Sequence, residues 1–573
     1  MRIIKGMAAA AGMALAPAHI VKESRVIVEN RSAASAQAEL DRLDLAVSEC
    51  QRHMERLMAN LEGSVDPQTI EILDFQLLLL EDTDFMGKIK QNITDDLVVA
   101  EYAVLEASKE YIAYLENLTD NDYLRERTAD VADLSQRLAA VLAGADLTVA
   151  EPEGNYIAIG TDIAPSLVAE LDKKKLKGII LEKGGLTSHC VILAKSLGIP
   201  CLIEVAGIQE AARPGDMLLL DAVEGRALLA PDGVCILDYE RYMARDAAEK
   251  ASLEAYVHCA SKTPDGVEIK VFANITTKSE AEEVVARGGE GIGLFRSELL
   301  YMSQTHGPPS EEKQFAEYSQ AAKTLDGRPI VIRTLDVGGD KQIEYMGIGQ
   351  EANPFLGYRA IRVCLDRPDI FKPQISAILR ASAFGNVWMM FPMITNIDEL
   401  HAAKQTVEQV KQELTAREIP YDPGIRVGMM VETPAAAFDA ERLAGEVDFF
   451  SIGTNDLAQY LFAADRSNAR LAGLNSCFQP TLLRVIHSIV KAAKAAGIEV
   501  DICGQAAEID SLIPIWLSMG VDNLSVSIPR IPAVRKRICH THKSARDRLL
   551  DLILRMDSAD QVERTLRKNI EVL

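Results

Sequence analysis

The sequence has no Cys-x-x-Cys pair, although it carries 9 cysteines. These are scattered: Cys50, Cys190, Cys201, Cys235, Cys259, Cys364, Cys477, Cys503 and Cys539. An odd, unpaired set predicts reduced thiols in the cytoplasm and argues against a disulfide framework or a cysteine-ligated zinc site. Long apolar runs are missing too, since none approaches the ~18 residues of a membrane helix. Positive charge is in short supply. Lys plus Arg number 61 against 84 Asp plus Glu, a net charge of -23. That balance repels nucleic acid and anionic membranes, and suits a basic protein partner or simple solubility. The 573 residues are 48% hydrophobic and 25% charged, the mix of a soluble globular protein. This excludes a largely disordered chain, a collagen-like fibre and a small disulfide scaffold. At roughly 150 residues per domain the length suggests about four units, or fewer if one is a barrel.

The start of the chain imitates a secretory signal, with Arg2 and Lys5 ahead of an alanine-rich stretch that ends Ala16-Pro17-Ala18. Gly6 and Gly12 interrupt that stretch, and Ile3-Ile4 reads as a short strand, so a folded β start is the expectation. From about 33 to 144 glycine and proline almost vanish. Leu40, Leu43, Leu57 and Leu61, then Ile70, Leu73, Leu77 and Leu80, recur at helical spacing. The pattern predicts four helices packed as α-hairpins. The turn Ser64-Val65-Asp66-Pro67 divides the first pair, with Asp66 as cap and Pro67 at the first helical position. Residues 145 to 232 alternate short β runs (156–159, 178–181, 217–220) with turns, and 190–197 reads as a helix entered from a glycine-rich turn. The first residues are expected to join this unit. The expected organisation is therefore an α/β domain from 1–32 and 145–236, an inserted helical subdomain from 33–144, and a linker helix within 237–262. The turn Thr263-Pro264-Asp265-Gly266 marks the start of a last domain, 263–573.

That last domain repeats β then α. Candidate strands are 267–274, 290–295, 329–335, 387–393, 425–431, 448–452, 499–503 and 523–527. Eight such units predict a (β/α)8 TIM barrel, with an open doubly wound sheet as the alternative. Chemistry in such barrels sits where strands end. The strand ends carry Asn274, Arg296, Arg333, Asp336, Met393, Glu432, Thr454-Asn455-Asp456 and Cys503, with Arg359 and Arg466 on nearby loops. Convergent arginines and carboxylates cost free energy unless a ligand neutralises them. The arginines suit a small polyanion bearing carboxylate and phosphate. Glu432 and Asp456 could face such an anion only with a hard divalent cation between them, Mg²⁺ by default. Cys503 is either a proton donor or nucleophile, or simply a small buried hydrophobe.

A second candidate is Gly184-Gly185-Leu186-Thr187-Ser188-His189. The glycines allow a tight turn, Thr187 or Ser188 can cap the helix, and His189 stands at its entrance. A histidine there can touch phosphate or carry a phosphoryl group, or be a surface residue on a turn.

Taken in order, GGLTSH, Arg296, IRTLDVGGDK, NPFLGYRAIR, MVETPAA, FFSIGTNDLAQY, ADRSN and ICGQ resemble Enzyme I of the bacterial phosphoenolpyruvate:sugar phosphotransferase system along the whole chain. Pyruvate phosphate dikinase and phosphoenolpyruvate synthase share the barrel motifs but differ at the front, where they carry an ATP-binding domain. The resemblance implies an α/β phosphohistidine domain that swivels, with an inserted helical bundle, followed by the barrel. It implies a cytoplasmic enzyme that moves the phosphoryl group of phosphoenolpyruvate to His189 and then to the phosphocarrier HPr, releasing pyruvate. By motif match Arg296, Arg333, Asn455, Asp456 and Arg466 bind the substrate, Glu432 and Asp456 hold Mg²⁺, and Cys503 protonates the enolate. Asp130 matches a helical position able to orient the histidine. A homodimer through the barrel and HPr docking on residues 33–144 are also implied, with Glu81, Asp82 and Asp84 as a candidate acidic rim. Departures from the family pattern include Leu186 in place of arginine, Ala164 in place of threonine, and Gln505 in place of the acid after the thiol. They keep open the alternative of an Enzyme I-like regulatory phosphoprotein with low turnover. Relative to an enzyme with the family's Cys-Gly-Glu, an uncharged Gln505 is expected to make the thiol easier to ionise.

Overall fold

In the computed structural model the described residues are 1–21, 28, 30–61, 75–116, 128–144, 152–163, 167–168, 171–172, 174–185, 188–304, 307–338, 343–349, 351–466, 468–471 and 473–570. They divide into two compact units, Met1–Ala248 and Glu249–Leu573.

The first unit is built on a mixed sheet of eight strands: β1 (Arg2–Lys5), β2 (Met7–Ala10), β3 (Met13–Ile20), β4 (Tyr156–Gly160), β5 (Leu176–Leu181), β6 (Cys201–Ile203), β7 (Met217–Asp221) and β8 (Arg226–Leu229). Their order is β1-β8-β7-β3-β4-β5-β6-β2. The alanine-rich start is thus a set of strands. Ala14, Ala16 and Ala18 alternate inward along β3 and pack with Ile157, Ile159 and Leu220, while β3 pairs β4 on one side and β7 on the other. The strands β6 and β8 go beyond the sequence reading, as do the separate bounds of β2 and β3 within the expected β start. Small residues at a period of two, with Pro17 among them, carry a weak strand signal.

Between β3 and β4 lie the helices α1 (Ala36–Leu61), α2 (Thr83–Asp95), α3 (Ala100–Glu116) and α4 (Thr128–Leu142). Leu43, Cys50, Met54, Phe85, Ile89, Val104, Leu134 and Leu138 form their shared core. The expected turn at 64–67, with Ile70 and Leu73, lies outside the described residues. Helix α5 (His189–Ser196) covers one face of the sheet through Cys190, Val191, Leu193 and Ala194. Helix α6 (Gly233–Glu254) buries no residue. The boundary between units falls within it, after residue 248.

The second unit is a closed barrel of eight strands: β9 (Lys270–Ile275), β10 (Ile292–Arg296), β11 (Ile330–Arg333), β12 (Val387–Phe391), β13 (Arg426–Val431), β14 (Phe449–Gly453), β15 (Glu499–Cys503) and β16 (Asn523–Val526). Every neighbouring pair is parallel, and β16 closes onto β9. Each lies within two or three residues of its sequence reading. Leu294, Val331, Trp388, Met390, Met430, Phe449 and Cys503 form a core cluster separate from the larger one. The larger cluster packs strands against the surrounding helices. With every strand parallel, all eight carboxyl ends open on one rim.

Candidate active site at the barrel rim

Arg296 and Arg333 are the last residues of β10 and β11 and stand in register. They are not equivalent. Arg296 is exposed, with no hydrogen-bond acceptor among the described residues. Arg333 is buried between two carboxylates, Nη2 at 2.6 Å from Glu298 Oε1 and Nη1 at 2.9 Å from Asp336 Oδ2. A buried chain fixes this strand end: Ser297 Oγ donates to the Arg333 carbonyl at 2.7 Å, and Gln374 Nε2 donates to Ser297 Oγ at 3.0 Å.

Arg359 is the hub of the site. Its side chain is 1% exposed. Nε donates to Asp336 Oδ1 at 2.9 Å and Nη2 to Oδ2 at 3.1 Å, a two-pronged grip. Nη1 reaches Asp456 Oδ1 at 3.2 Å and the Tyr460 hydroxyl at 3.1 Å. The Tyr460 hydroxyl donates in turn to the Phe355 carbonyl. Burial acts against the charged guanidinium, but Asp336 and Asp456 outweigh it and hold Arg359 above its ordinary pKa. Arg466 is half-buried, with Nη1 at 3.5 Å from Asp456 Oδ1. Asp456 thus links two arginines from separate loops.

Glu432 follows β13 and is 1% exposed. Its Oε1 accepts from the Met393 backbone N–H at 2.7 Å, and Met393 takes a left-handed φ of 58° to present it. Gly453 is required opposite, because a Cβ there would come within 2.8 Å of Glu432 Oε2. Burial, then the neighbouring Asp456 and Asp336 carboxylates, push Glu432 up to about 8, against the pull of Arg359 and Arg333. The pocket can therefore hold one more positive charge than its arginines supply, as a proton or as a cation. Glu432 and Asp456 are hard oxygen donors that fit Mg²⁺, an ion that completes its shell with water and substrate oxygens. No group of three or more His, Cys, Asp or Glu that could hold a metal ion is present among the described residues.

Cys503 ends β15 and is 2% exposed. Ser451 Oγ lies 3.3 Å from its sulfur and 2.8 Å from Asp501 Oδ2. Burial first, then Asp501, push the thiol up to about 12. The expected effect of Gln505 is relative to an enzyme with an acid at that position; the groups that set the thiol in this chain are its burial and Asp501. Gln505 is exposed, and the buried surroundings keep the proton on sulfur. Asn455 Oδ1 accepts from the Gln505 N–H at 3.2 Å. Gly504 adopts φ +90°, and a Cβ on it would meet Thr454 Oγ1 at 2.7 Å, so the β14 and β15 loops can approach only through glycine. Asp501 escaped the sequence reading, which considered strand ends only. Its signal was present: it lies two residues before Cys503, hence on the same face of the strand.

His189 is the first residue of α5, as expected of a histidine at a helix entrance, with Ser188 at the N-cap position. Ser188 makes no capping hydrogen bond among the described residues, and the alternative cap, Thr187, lies outside them. Leu186, Thr187 and Ala164 lie outside the described residues. Asp130 is fully buried in the first turn of α4. Among the candidate rim acids, Asp82 caps α2, with Oδ1 accepting from the backbone N–H of Asp84 at 3.0 Å and Phe85 at 2.6 Å. Glu81 and Asp84 are exposed. The structure thus gathers Arg333, Arg359, Arg466, Glu432, Asp456 and Cys503 on one rim, whereas His189 belongs to the first unit.

Three family models match the chain: the PEP-utilising enzyme PEP-binding domain over residues 250–543, the PEP-utilising enzyme N-terminal region over 5–127 and the PEP-utilising enzyme mobile domain over 152–225. Together with the barrel they define an enzyme of the PEP-utilising class. A phosphoenolpyruvate-protein phosphotransferase of Geobacillus stearothermophilus is 38% identical over 98% of this chain and 97% of its own. Those of Bacillus subtilis (35% identical over 98% of each chain) and Staphylococcus carnosus (36% over 98% and 97%) are similar in the same way. The chain belongs to the phosphoenolpyruvate-protein phosphotransferase family, known as Enzyme I.

Proposed function

We propose that this protein transfers the phosphoryl group of phosphoenolpyruvate to its own His189 and then to the phosphocarrier HPr, releasing pyruvate, as the first step of the sugar phosphotransferase system. The observation that carries the reading is the Arg333–Asp336–Arg359–Asp456 network on the barrel rim, with the protonatable Glu432 beside it. Phosphoryl transfer asks a protein mostly for positioning and charge neutralisation, and this network supplies both. Arg296 and Arg466, the more accessible cations, take the substrate's anionic groups. Arg333 and Asn455 complete its seat. Glu432 and Asp456 would hold Mg²⁺, which when bound offsets negative charge on the phosphate and carboxylate oxygens.

The neutral His189 imidazole attacks phosphorus, so a P–N bond forms as the bond from phosphorus to the enol oxygen breaks. The leaving group is pyruvate enolate. Its methylene carbon takes the proton of the Cys503 thiol, which leaves a thiolate and free pyruvate. The helices of 33–144 dock HPr, and Asp130 orients the histidine. In this reading the protein acts in the cytoplasm as a homodimer formed through the barrel. The test is incubation of the full chain with ³²P-labelled phosphoenolpyruvate and Mg²⁺. Acid-labile, base-stable label on His189 is expected, with none in His189→Ala. Undiminished labelling of that variant would move the phosphoryl acceptor elsewhere.

A further inference from the structure

We propose that Asp501 and Ser451 form an internal proton relay that restores the Cys503 thiol after it has protonated the enolate; this rests on the reading of Cys503 as the acid. Three side chains carry the inference. Cys503 and Asp501 point to the same side of β15, and Ser451 of β14 is in register with Asp501. The Ser451 hydroxyl bridges them, 2.8 Å from Asp501 Oδ2 and 3.3 Å from Cys503 Sγ. Asp501 is 4% exposed, and no arginine or lysine is hydrogen-bonded to it among the described residues. A buried carboxyl group without a cation keeps its proton.

The surroundings agree. Asn523 of β16 is in register with Asp501, and its buried Oδ1 has no hydrogen-bond donor among the described residues. The charged groups acting on Asp501 are Glu499, bound by Arg426 at 2.9 Å, and Asp522, bound by Lys494 at 2.5 Å. Burial, together with these two carboxylates, pushes Asp501 up to about 8 even though Ser451 favours its charged form. At neutral pH it is therefore a carboxylic acid.

The relay balances. When the enolate carbon takes the thiol proton, the S–H bond breaks and a C–H bond forms, leaving thiolate on Cys503. The Ser451 O–H proton then passes to sulfur while the Asp501 carboxyl proton passes to Ser451 Oγ. The net product is thiol, hydroxyl and Asp501 carboxylate, which regains a proton from solvent between turnovers. Besides Ser451, the Cys503 sulfur contacts the Ile452 carbonyl at 3.4 Å, and among the described residues no titratable group hydrogen-bonds it directly.

The test uses the full chain in D₂O with phosphoenolpyruvate, ¹³C-labelled pyruvate and Mg²⁺. Two rates are followed by NMR: ¹³C exchange between pyruvate and phosphoenolpyruvate, and deuterium entry into the pyruvate methyl group. Exchange can proceed by returning the same proton between sulfur and carbon, but deuterium entry requires sulfur to trade protons with solvent. Asp501→Asn and Ser451→Ala should each slow deuterium entry by ~100-fold or more, the scale of a lost acid–base step, while ¹³C exchange falls much less. Deuterium entry that keeps pace with ¹³C exchange in both variants overturns the relay. Cys503→Ser separates the two readings: if it retains both parent rates, the thiol is not the acid and the underlying reading fails. If it loses both rates while the relay variants behave as the parent, the relay alone fails. Should Asp501→Asn not fold, judged by tryptophan fluorescence, Ser451→Ala decides.

Discussion

Replacing Asp501 by asparagine should change how the stability of the barrel depends on pH, and the slope can be worked out. In the folded chain the carboxyl group is pushed to about 8; unfolded, it titrates near its ordinary ~3.9. Between these values the folded state holds one proton that the unfolded state has lost. Stability therefore falls as pH rises, at roughly 1.4 kcal/mol per pH unit. By pH 7 the accumulated loss is on the order of 4 kcal/mol relative to acid conditions, and asparagine, which does not titrate, escapes it. The absolute stability of Asp501→Asn also contains the cost of burying an amide. The difference between parent and variant, followed against pH, removes that constant. It should be flat below about pH 4, move steadily in favour of the variant up to about 8, and level off. Urea unfolding read by tryptophan fluorescence suits the measurement, because both tryptophans, Trp388 and Trp516, belong to the barrel. A difference that stays flat from about pH 5 to 7 would refute the reasoning: Asp501 would then be ionised in the folded chain, and the thiol beside it would have no internal source of protons.

Arg359→Met should destabilise the barrel by about 3–5 kcal/mol, the cost of leaving buried carboxylates without their cation, and a urea midpoint near that of the parent would show that the Asp336 and Asp456 contacts contribute little. Glu432→Gln and Asp456→Asn should each remove most of the phosphorylation rate and raise the Mg²⁺ concentration needed for half-maximal labelling; unchanged Mg²⁺ titrations in both would place the ion elsewhere. Asp82→Ala removes the cap of α2 and should cost about 1 kcal/mol in the melting of the helical subdomain, with no change in phosphoenolpyruvate binding by the full chain.

What could be read from the sequence follows physical lines. The barrel strands were legible because each is a short apolar run between helical patterns, and a run such as Val387–Phe391, buried at every position, has no polar residue to obscure it. Within the expected β start, the bounds of β2 and β3 were obscured by alanine, which is compatible with helix, signal segment or tightly packed strand. In the site, residue types at strand ends indicated an anion and a cation. The pairings were not legible, because Arg359 meets Asp456 across 97 positions in the chain and nothing local encodes that contact. The protonation states were not legible either. Cys503 alone predicts an ordinary thiol, and its shift depends on burial and on an aspartate brought alongside by the pleat.

Those protonation states connect the rim to the interior of the barrel. The rim is charged and extensively paired, with Arg333 and Arg359 bound by Glu298, Asp336 and Asp456. Cys503 clusters instead with Leu294, Val331, Met390 and Met430, and it and Asp501 are both pushed upward by burial. Low dielectric acts in opposite senses on the two sets of groups. It strengthens ion pairs between fixed charges on the rim, and it penalises ionisation of the lone acids in the interior. A thiol held up at about 12 protonates no weak base. A pyruvate enolate is a strong base at carbon, and the proposed transfer to His189 delivers it to this rim only after phosphorus has left its oxygen. The same burial that makes Cys503 a poor acid toward water thus reserves its proton for the one product basic enough to take it. Asp501, held nearer neutrality, is the stronger acid of the two, so a proton passing through Ser451 to the thiolate runs downhill.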